Sequence, residues 1–262
     1  MTTYYNIMPP PVELKSKIVV LDLGSFEGFS PIWDELKDKV ELIGIDPFEP
    51  EGVRYGKFNR KETTFNCIIG DKNQSNVDFH VSRNKHASSL LKGNKKVVSR
   101  YHTEYDGEIL SVDKVEVKEI KELLSNQNIN EFDFLKIDIE GMELNIMKNL
   151  ENILKNNCLG IFAECFFQEY YVGQPLFSEI ELFLRNLGYH VFDLQIERWG
   201  RKNNPQKYHN GQVMFANTLF LKDPILTNDI EDIEKIKKLS MLAELWKQKD
   251  FADELKTHYN IW

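Results

Sequence analysis

The sequence predicts an α/β domain built on a mostly parallel sheet. Short apolar runs of strand length recur along the chain, and segments with helical apolar spacing lie between them. The intervals between runs are long enough for the crossovers that parallel strands require.

Taken in order, Ile18–Leu23 (IVVLDL) reads as the first strand and breaks into a glycine turn, Gly24 to Gly28. Pro31–Lys39 reads as a short helix, and residues 41–46 (ELIGID) as a second strand closed by Pro47. Residues 65–69 (FNCII) form a third strand, and residues 77–81 alternate like an extra edge strand. The stretch 71–109 is polar and poor in pattern, so it reads as loops over the active face. Residues 132–138 (FDFLKID) are strongly strand-like. The helix predicted over 142–154 puts Met142, Ile146, Leu150, Ile153 and Leu154 on one face. Another strand follows at 159–164, then a helix at 178–187 with Ile180, Phe183, Leu184 and Leu187 as its buried stripe and Gly188 as its stop. Two late strands occupy 190–195 and 213–221. The charged tail, 226–255, reads as helical, with Ile230, Ile233, Ile236, Met241, Leu245 and Trp246 as its apolar face. The expected division is an extension (1–16), the α/β domain (17–222) and a helical C-terminal tail (223–262).

At 262 residues with 42% hydrophobic content, the chain can build one large cored domain. A formal net charge of −8 argues against nucleic acid, whose phosphates need a basic face. Cys67, Cys158 and Cys165 are odd in number, irregularly spaced and without a CxxC pair, so they read as reduced thiols of a cytoplasmic protein without structural zinc. The first residues lack the apolar core of a signal peptide. The longest apolar run, CLGIFAECFF, is interrupted by Glu164 and is too short to span a bilayer, so membrane insertion is not expected. Homo-oligomerisation stays open.

A glycine-rich strand-to-helix turn cradles part of a nucleotide-like cofactor. In GxGxxG the central glycine lets the backbone approach a pyrophosphate. Here Phe26 takes that place and Glu27, a carboxylate that would repel phosphate, follows it. No GK[ST] follows, so a P-loop is absent as well. The turn suits a cofactor that lacks phosphate and carries positive charge, as S-adenosylmethionine does, with Asp22 at the strand end to help. Asp46 ends the second strand at the spacing where a carboxylate accepts ribose hydroxyls; NAD has such a ribose too, and the missing phosphate loop decides between them. The bland alternative is that Gly24 and Gly28 only allow close packing.

A second motif, FLKIDIEGMELNIMKNL, runs from Phe134 to Leu150. Together with VVLDLGSFEG it resembles the FkbM family of S-adenosylmethionine-dependent methyltransferases, whose hallmark K-[IV]-D-[VI]-E-G-x-E matches Lys136-Ile137-Asp138-Ile139-Glu140-Gly141-Met142-Glu143. CIIGD with HASSL, and IFAE ending at Glu164, look like the family's later blocks. The resemblance spans roughly residues 17–195. It implies a class I methyltransferase (Rossmann-like) fold: a seven-stranded, mostly parallel sheet with one antiparallel strand and helices on both faces. It further implies methyl transfer, usually to oxygen, in a family with many relatives tied to bacterial glycans. Ser25-Phe26-Glu27 departs from the family's usual small and amide residues.

The cofactor side is expected at Asp22, Gly24, Ser25, Phe26, Glu27, Gly28 and Asp46, with Asp71 near the adenine and Lys136 within the motif. A sugar hydroxyl is a poor nucleophile, so a base within hydrogen-bond reach should help. Asp138 and Glu164 end neighbouring strands and are expected to position the acceptor, one of them as base, while Glu140 orients the loop or contacts the acceptor. Acids at Glu140 and Glu143 also suit a plain helix start. His86 and His102 lie in the loop region over the site, His102 as a candidate base and His86 toward the substrate. Arg198, Arg201 and Tyr208 sit in a basic, aromatic segment suited to gripping a diphosphate, against a bland reading as a solvated loop. Two carboxylates suit Mg²⁺, but no third ligand is fixed, so no metal is assigned.

The expected function is O-methyl transfer from S-adenosylmethionine, with S-adenosylhomocysteine as product, to a sugar. That sugar is expected to be nucleotide-activated, for bacterial capsular or surface polysaccharide. The alternatives are a small secondary metabolite or lipid as acceptor, a non-catalytic partner subunit that keeps the fold, and an NAD-linked oxidoreductase.

Overall fold

A computed structural model describes residues 12–48, 59–105, 107–203 and 211–262. Its strands are β1 (Ile18–Leu23), β2 (Val40–Asp46), β3 (Glu62–Asn66), β4 (Ile68–Gly70), β5 (Gln74–Ser82), β6 (Ile109–Glu119), β7 (Phe134–Ile137), β8 (Gly160–Phe166), β9 (Tyr189–Trp199) and β10 (Gln212–Lys222). Seven of them form one sheet in the order β3-β2-β1-β7-β8-β10-β9. Every ladder is parallel except those of β10, which runs against both β8 and β9. This is the mostly parallel seven-stranded sheet that the sequence predicts.

The central strands read as near-continuous apolar runs because helices cover both faces. Before them along the chain comes the short helix α1 (Lys95–Val98). On one face, α2 (Ile120–Asn126), α3 (Glu143–Asn149), α4 (Glu151–Asn156) and α5 (Phe177–Asn186) bury Ile120, Leu124, Ile146, Met147, Leu154, Ile180 and Leu184 against Leu21, Leu23, Ile43, Leu135 and Ile161. After the short α6 (Pro224–Thr227), α7 (Ile233–Leu245) and α8 (Lys249–Tyr259) cover the other face with the 3-10 segment Pro31–Lys39. Ile236, Leu239, Leu242, Phe251 and Leu255 pack there on Ile18, Val20, Val40, Leu42 and Phe134. The tail is therefore part of the core on that face. Trp246 stacks on Phe134, with centroids 5.6 Å apart, and lies 4.4 Å from Phe162. Ile233, expected on the tail's apolar face, is instead 46% exposed.

Three further differences have physical causes. Residues 65–69 are not one strand: Cys67 donates its amide to Asp46 O at 3.2 Å, and the chain passes there from β3 in the main sheet to β4 in a second sheet. Within the stretch read as loops, Gln74–Ser82 forms β5, which joins β4 and β6 in that second sheet, ordered β4-β6-β5. The helix predicted over 142–154 breaks at Leu150 (φ −92°, ψ 9°), between α3 and α4.

Chain order runs outward from β1 in both directions, through β2 and β3 on one side and β7 and β8 on the other. The sheet thus has its switch point between β1 and β7, where α/β folds open a ligand crevice at the carboxyl ends of the strands.

Candidate active site

The crevice starts from the turn after β1. Gly24 has φ 85°, and a Cβ there would stand 1.8 Å from the carbonyl oxygen of Asp138. Only glycine lets the ends of β1 and β7 approach so closely. Lys136 on β7 fixes the turn: its Nζ donates to Gly24 O at 2.6 Å. The same ammonium lies 3.3 Å from Asp22 Oδ1 and 3.8 Å from Asp138 Oδ2. Burial opposes its charge, but Asp22, Asp138 and Asp46 outweigh that and push its pKa up. Burial likewise lifts Asp22, with Lys136 working against the shift. The Asp22 contact lacks hydrogen-bond geometry and leaves a buried Oδ1 without a hydrogen-bond partner among the described residues.

Two cavities flank this turn. The first is floored by Gly24 and Asp46 and walled by Phe48, Cys67, Ile68, Ile69 and Phe79. Asp46 is 9% exposed, and one of its oxygens accepts from Phe48 N at 2.8 Å. Burial pushes its pKa up to about 6, against the pull of that amide. The second cavity lies on the other flank, between Asp22, Lys136, Glu27, Trp33, Phe162 and Trp246; Gly24, Phe26, His86 and Asp138 border both. Over the turn sits the short 3-10 segment Lys85–Ala87. His86 meets Phe26 edge-on at 5.0 Å, with Nε2 3.4 Å from Glu27 Oε1, and Lys85 Nζ lies 5.6 Å from the Phe26 centroid.

Beside the turn, three carboxylates converge. Asp138 follows β7, Glu140 sits in the next loop and Glu164 lies on β8. One oxygen from each falls within a common 4.8 Å. The loop is forced into this shape: Glu140 has φ 60° and Gly141 φ 102°. Glu143, 2% exposed, pins it by accepting from Ile139 N at 3.0 Å and Gly141 N at 3.0 Å. Burial raises Glu143 to about 7 despite those bonds. Ser89 Oγ donates to Glu140 O at 2.6 Å, and the Tyr171 hydroxyl lies 2.6 Å from Glu140 Oε2. Burial first, then the charge of Asp138, raises Glu140 and Glu164 well above the usual carboxylate range. Glu164 Oε2 is sealed from solvent without a hydrogen-bond partner among the described residues.

The expected residues divide accordingly. Asp22, Gly24, Phe26, Glu27, Gly28, Asp46, Lys136, His86, Asp138 and Glu140 border the two cavities, and Glu164 adjoins them through the carboxylate cluster. Ser25 does not border either: it is 5% exposed and packs its Oγ toward Gly44. Asp71 lies beyond β4, where its carbonyl accepts from Asn149 Nδ2 at 2.9 Å, and it borders neither cavity; residues 67–69 line the first. His102 is tied elsewhere, with Nδ1 3.2 Å from Gly200 O. Arg198 donates to Gly211 O at 3.2 Å and Arg201 to Gln212 Oε1 at 2.5 Å, so both guanidinium groups serve the β9–β10 connection. Tyr208 falls outside the described residues.

Sequence reasoning missed Tyr171, Ser89, Phe48 and Trp246. Tyr171 had a signal, the aromatic run FFQEYY directly after β8. Trp246 had none toward the site, because the site lies so far away along the chain.

A family model described as Methyltransferase FkbM domain matches residues 28–191. None of the curated proteins matches the chain. Among solved structures it is similar to the 1,6-didemethyltoxoflavin-N1-methyltransferase of Burkholderia thailandensis, bound to 1,6-didemethyltoxoflavin and S-adenosylhomocysteine. The identity there is 11% and the TM-score 0.35, over 79% of this chain and 72% of that one. It is also similar to an S-adenosylmethionine-dependent methyltransferase of Methanosarcina mazei, at 10% identity and TM-score 0.32, over 80% of this chain and 94% of that one.

Proposed function

This chain belongs to the FkbM methyltransferase family, and we propose that it transfers a methyl group from S-adenosylmethionine to a hydroxyl of a sugar. The cofactor fits the residues present. Asp22 offers a buried carboxylate, ion-paired with Lys136 but without a hydrogen bond to Oδ1 among the described residues, toward a cationic group, and Asp46 keeps one oxygen for ribose hydroxyls. Ile68, Ile69 and Phe79 provide an apolar slot for a base. Glu27 beside the turn disfavours a pyrophosphate, so the NAD reading loses its footing.

When bound, S-adenosylmethionine supplies a methyl group on a sulfonium, ready for in-line displacement. The protein's share is alignment and proton handling. Gly24 lets the cofactor turn and Asp138 stand side by side, and Lys136 holds that turn. Asp138, Glu140 and Glu164 take the acceptor hydroxyls, and one of these carboxylates receives the proton. Carboxyls lifted by burial stand closer to neutral pH, which suits a general base.

The convergence of these three carboxylates beside the cofactor turn carries the reading. A polyhydroxylated acceptor is matched by such a set of hydrogen-bond acceptors. The nucleotide-activated form of the sugar, and a place in bacterial capsular or surface-polysaccharide synthesis, draw support from the family resemblance alone, since Arg198 and Arg201 are engaged at the β9–β10 connection.

Labelled methyl transfer to a panel of nucleotide sugars, free sugars, small secondary metabolites and lipids tests this. Label in the sugars supports it. Label only in another class overturns the acceptor assignment. Binding of S-adenosylhomocysteine with no transfer to any acceptor would favour a non-catalytic partner subunit.

A further inference from the structure

We propose that Asp138, Glu140 and Glu164 bind one hard divalent cation, Mg²⁺, Mn²⁺ or Ca²⁺, at the carboxyl ends of β7 and β8. The role given to the cation below rests on the methyltransferase reading, whereas the binding itself does not.

The three carboxylates present one oxygen each within 4.8 Å of one another. Oxygens on opposite sides of a bound Mg²⁺ stand about 4.2 Å apart and those around Ca²⁺ about 4.8 Å, from bond lengths near 2.1 and 2.4 Å. The donor set is oxygen only, which selects hard cations over zinc or copper.

Two of the three ligands are held by neighbours. The Tyr171 hydroxyl donates to Glu140 Oε2 at 2.6 Å. Lys136 Nζ lies 3.8 Å from Asp138 Oδ2. Glu143, close by, is consumed by the amides of Ile139 and Gly141 and is not a ligand.

An independent observation points to a missing partner. Glu164 Oε2 is buried and has no hydrogen-bond partner among the described residues, although an isolated buried carboxylate oxygen is costly. Its neighbours in the cluster are acids, and the nearby cation, Lys136, is already committed to Gly24 and Asp22. A divalent ion would satisfy Glu164 and offset the repulsion among the three. Three protein oxygens leave other positions of the ion open, and two adjacent sugar hydroxyls suit them. The ion would then hold the acceptor next to the cofactor turn.

The test uses the full chain, freed of metal with a chelator. Manganese is titrated with detection by electron paramagnetic resonance, and S-adenosylhomocysteine is titrated separately by calorimetry. We expect one Mn²⁺ per chain with a Kd below about 1 mM, competed by Mg²⁺ or Ca²⁺. Glu164→Gln and Asp138→Asn should each weaken Mn²⁺ at least tenfold. Asp138 is the more exposed, so its variant serves if Glu164→Gln fails to fold. No Mn²⁺ bound at millimolar concentration, or wild-type affinity in a folded variant, overturns the cation site. If S-adenosylhomocysteine binds and Mn²⁺ fails to bind, the cation site alone is overturned. Mn²⁺ bound without S-adenosylhomocysteine leaves the ion in place and counts against the methyltransferase role.

Discussion

Lys238 of α7 places its Nζ 3.0 Å from Asp133 Oδ1 and 2.8 Å from Asp133 Oδ2, just before β7. Both residues are 8% exposed, and the same Oδ2 accepts from Val19 N at 2.8 Å. One buried ion pair thus ties the tail to two central strands. Removing only the cation leaves a buried acid uncompensated, which costs about 3–5 kcal/mol. Lys238→Met should lower the urea midpoint accordingly. The double variant Lys238→Met with Asp133→Asn should recover part of the loss.

Gly24→Ala should be worse for function than its size suggests. The added methyl meets backbone, not a mobile side chain, and φ 85° disfavours any L residue. We expect a destabilisation of at least about 2 kcal/mol. S-adenosylhomocysteine binding should become undetectable by calorimetry. An affinity within threefold of wild type would refute the place given to this turn.

Asp46 predicts a pH dependence. Its carboxyl is raised to about 6 by burial, and its ionised form is the one that accepts ribose hydroxyls. Affinity for S-adenosylhomocysteine should therefore be flat near pH 8. It should fall as pH drops through 6, by roughly tenfold per unit well below it. Asp46→Asn should bind weakly with no such slope between pH 5 and 8. Calorimetry across that range distinguishes the two curves.

Tyr171→Phe removes the hydroxyl that lies 2.6 Å from Glu140 Oε2. A buried acceptor left without a partner costs about 1–3 kcal/mol, visible as a lower Tm. Cofactor affinity should hold, because Tyr171 borders neither cavity at the turn. Methyl transfer should drop, since Glu140 is no longer oriented.

The central strands β1, β2, β7 and β8 were legible because burial on both faces writes them as near-continuous apolar runs; β3 carries no such run and was placed too late in the chain. Asp46 ends β2 and Asp138 directly follows β7, as the apolar runs before them predict, whereas Glu164, expected to end its strand, lies inside β8. Of the second sheet, β5 was legible in the alternation at 77–81, but β4 and β6 were not. Most of β6 is exposed, from Ile109 through Glu116 it buries nothing, and its ladder with β5 holds it in place. Hydrogen bonds between backbones leave no trace in side-chain patterning. Ser25 was misread because nothing local tells whether a turn residue faces a ligand or, as here, Gly44 on the neighbouring strand. His102 and Asp71 were misread for want of the long-range contacts that anchor them to Gly200 and Asn149.

The indole of Trp246 walls the cavity whose opposite side is the turn ending at Gly28. More than two hundred residues separate the two along the chain. A ribosome therefore makes the turn early and its facing wall late. Until α7 has been synthesised and docked, Phe134, Phe162 and Trp33 lack their covering ring and stand as an apolar surface on an unfinished sheet. Contacts this distant in sequence close slowly. The growing chain thus passes through a stage in which the turn after β1 exists but the cavity it shares with Trp246 lacks that wall.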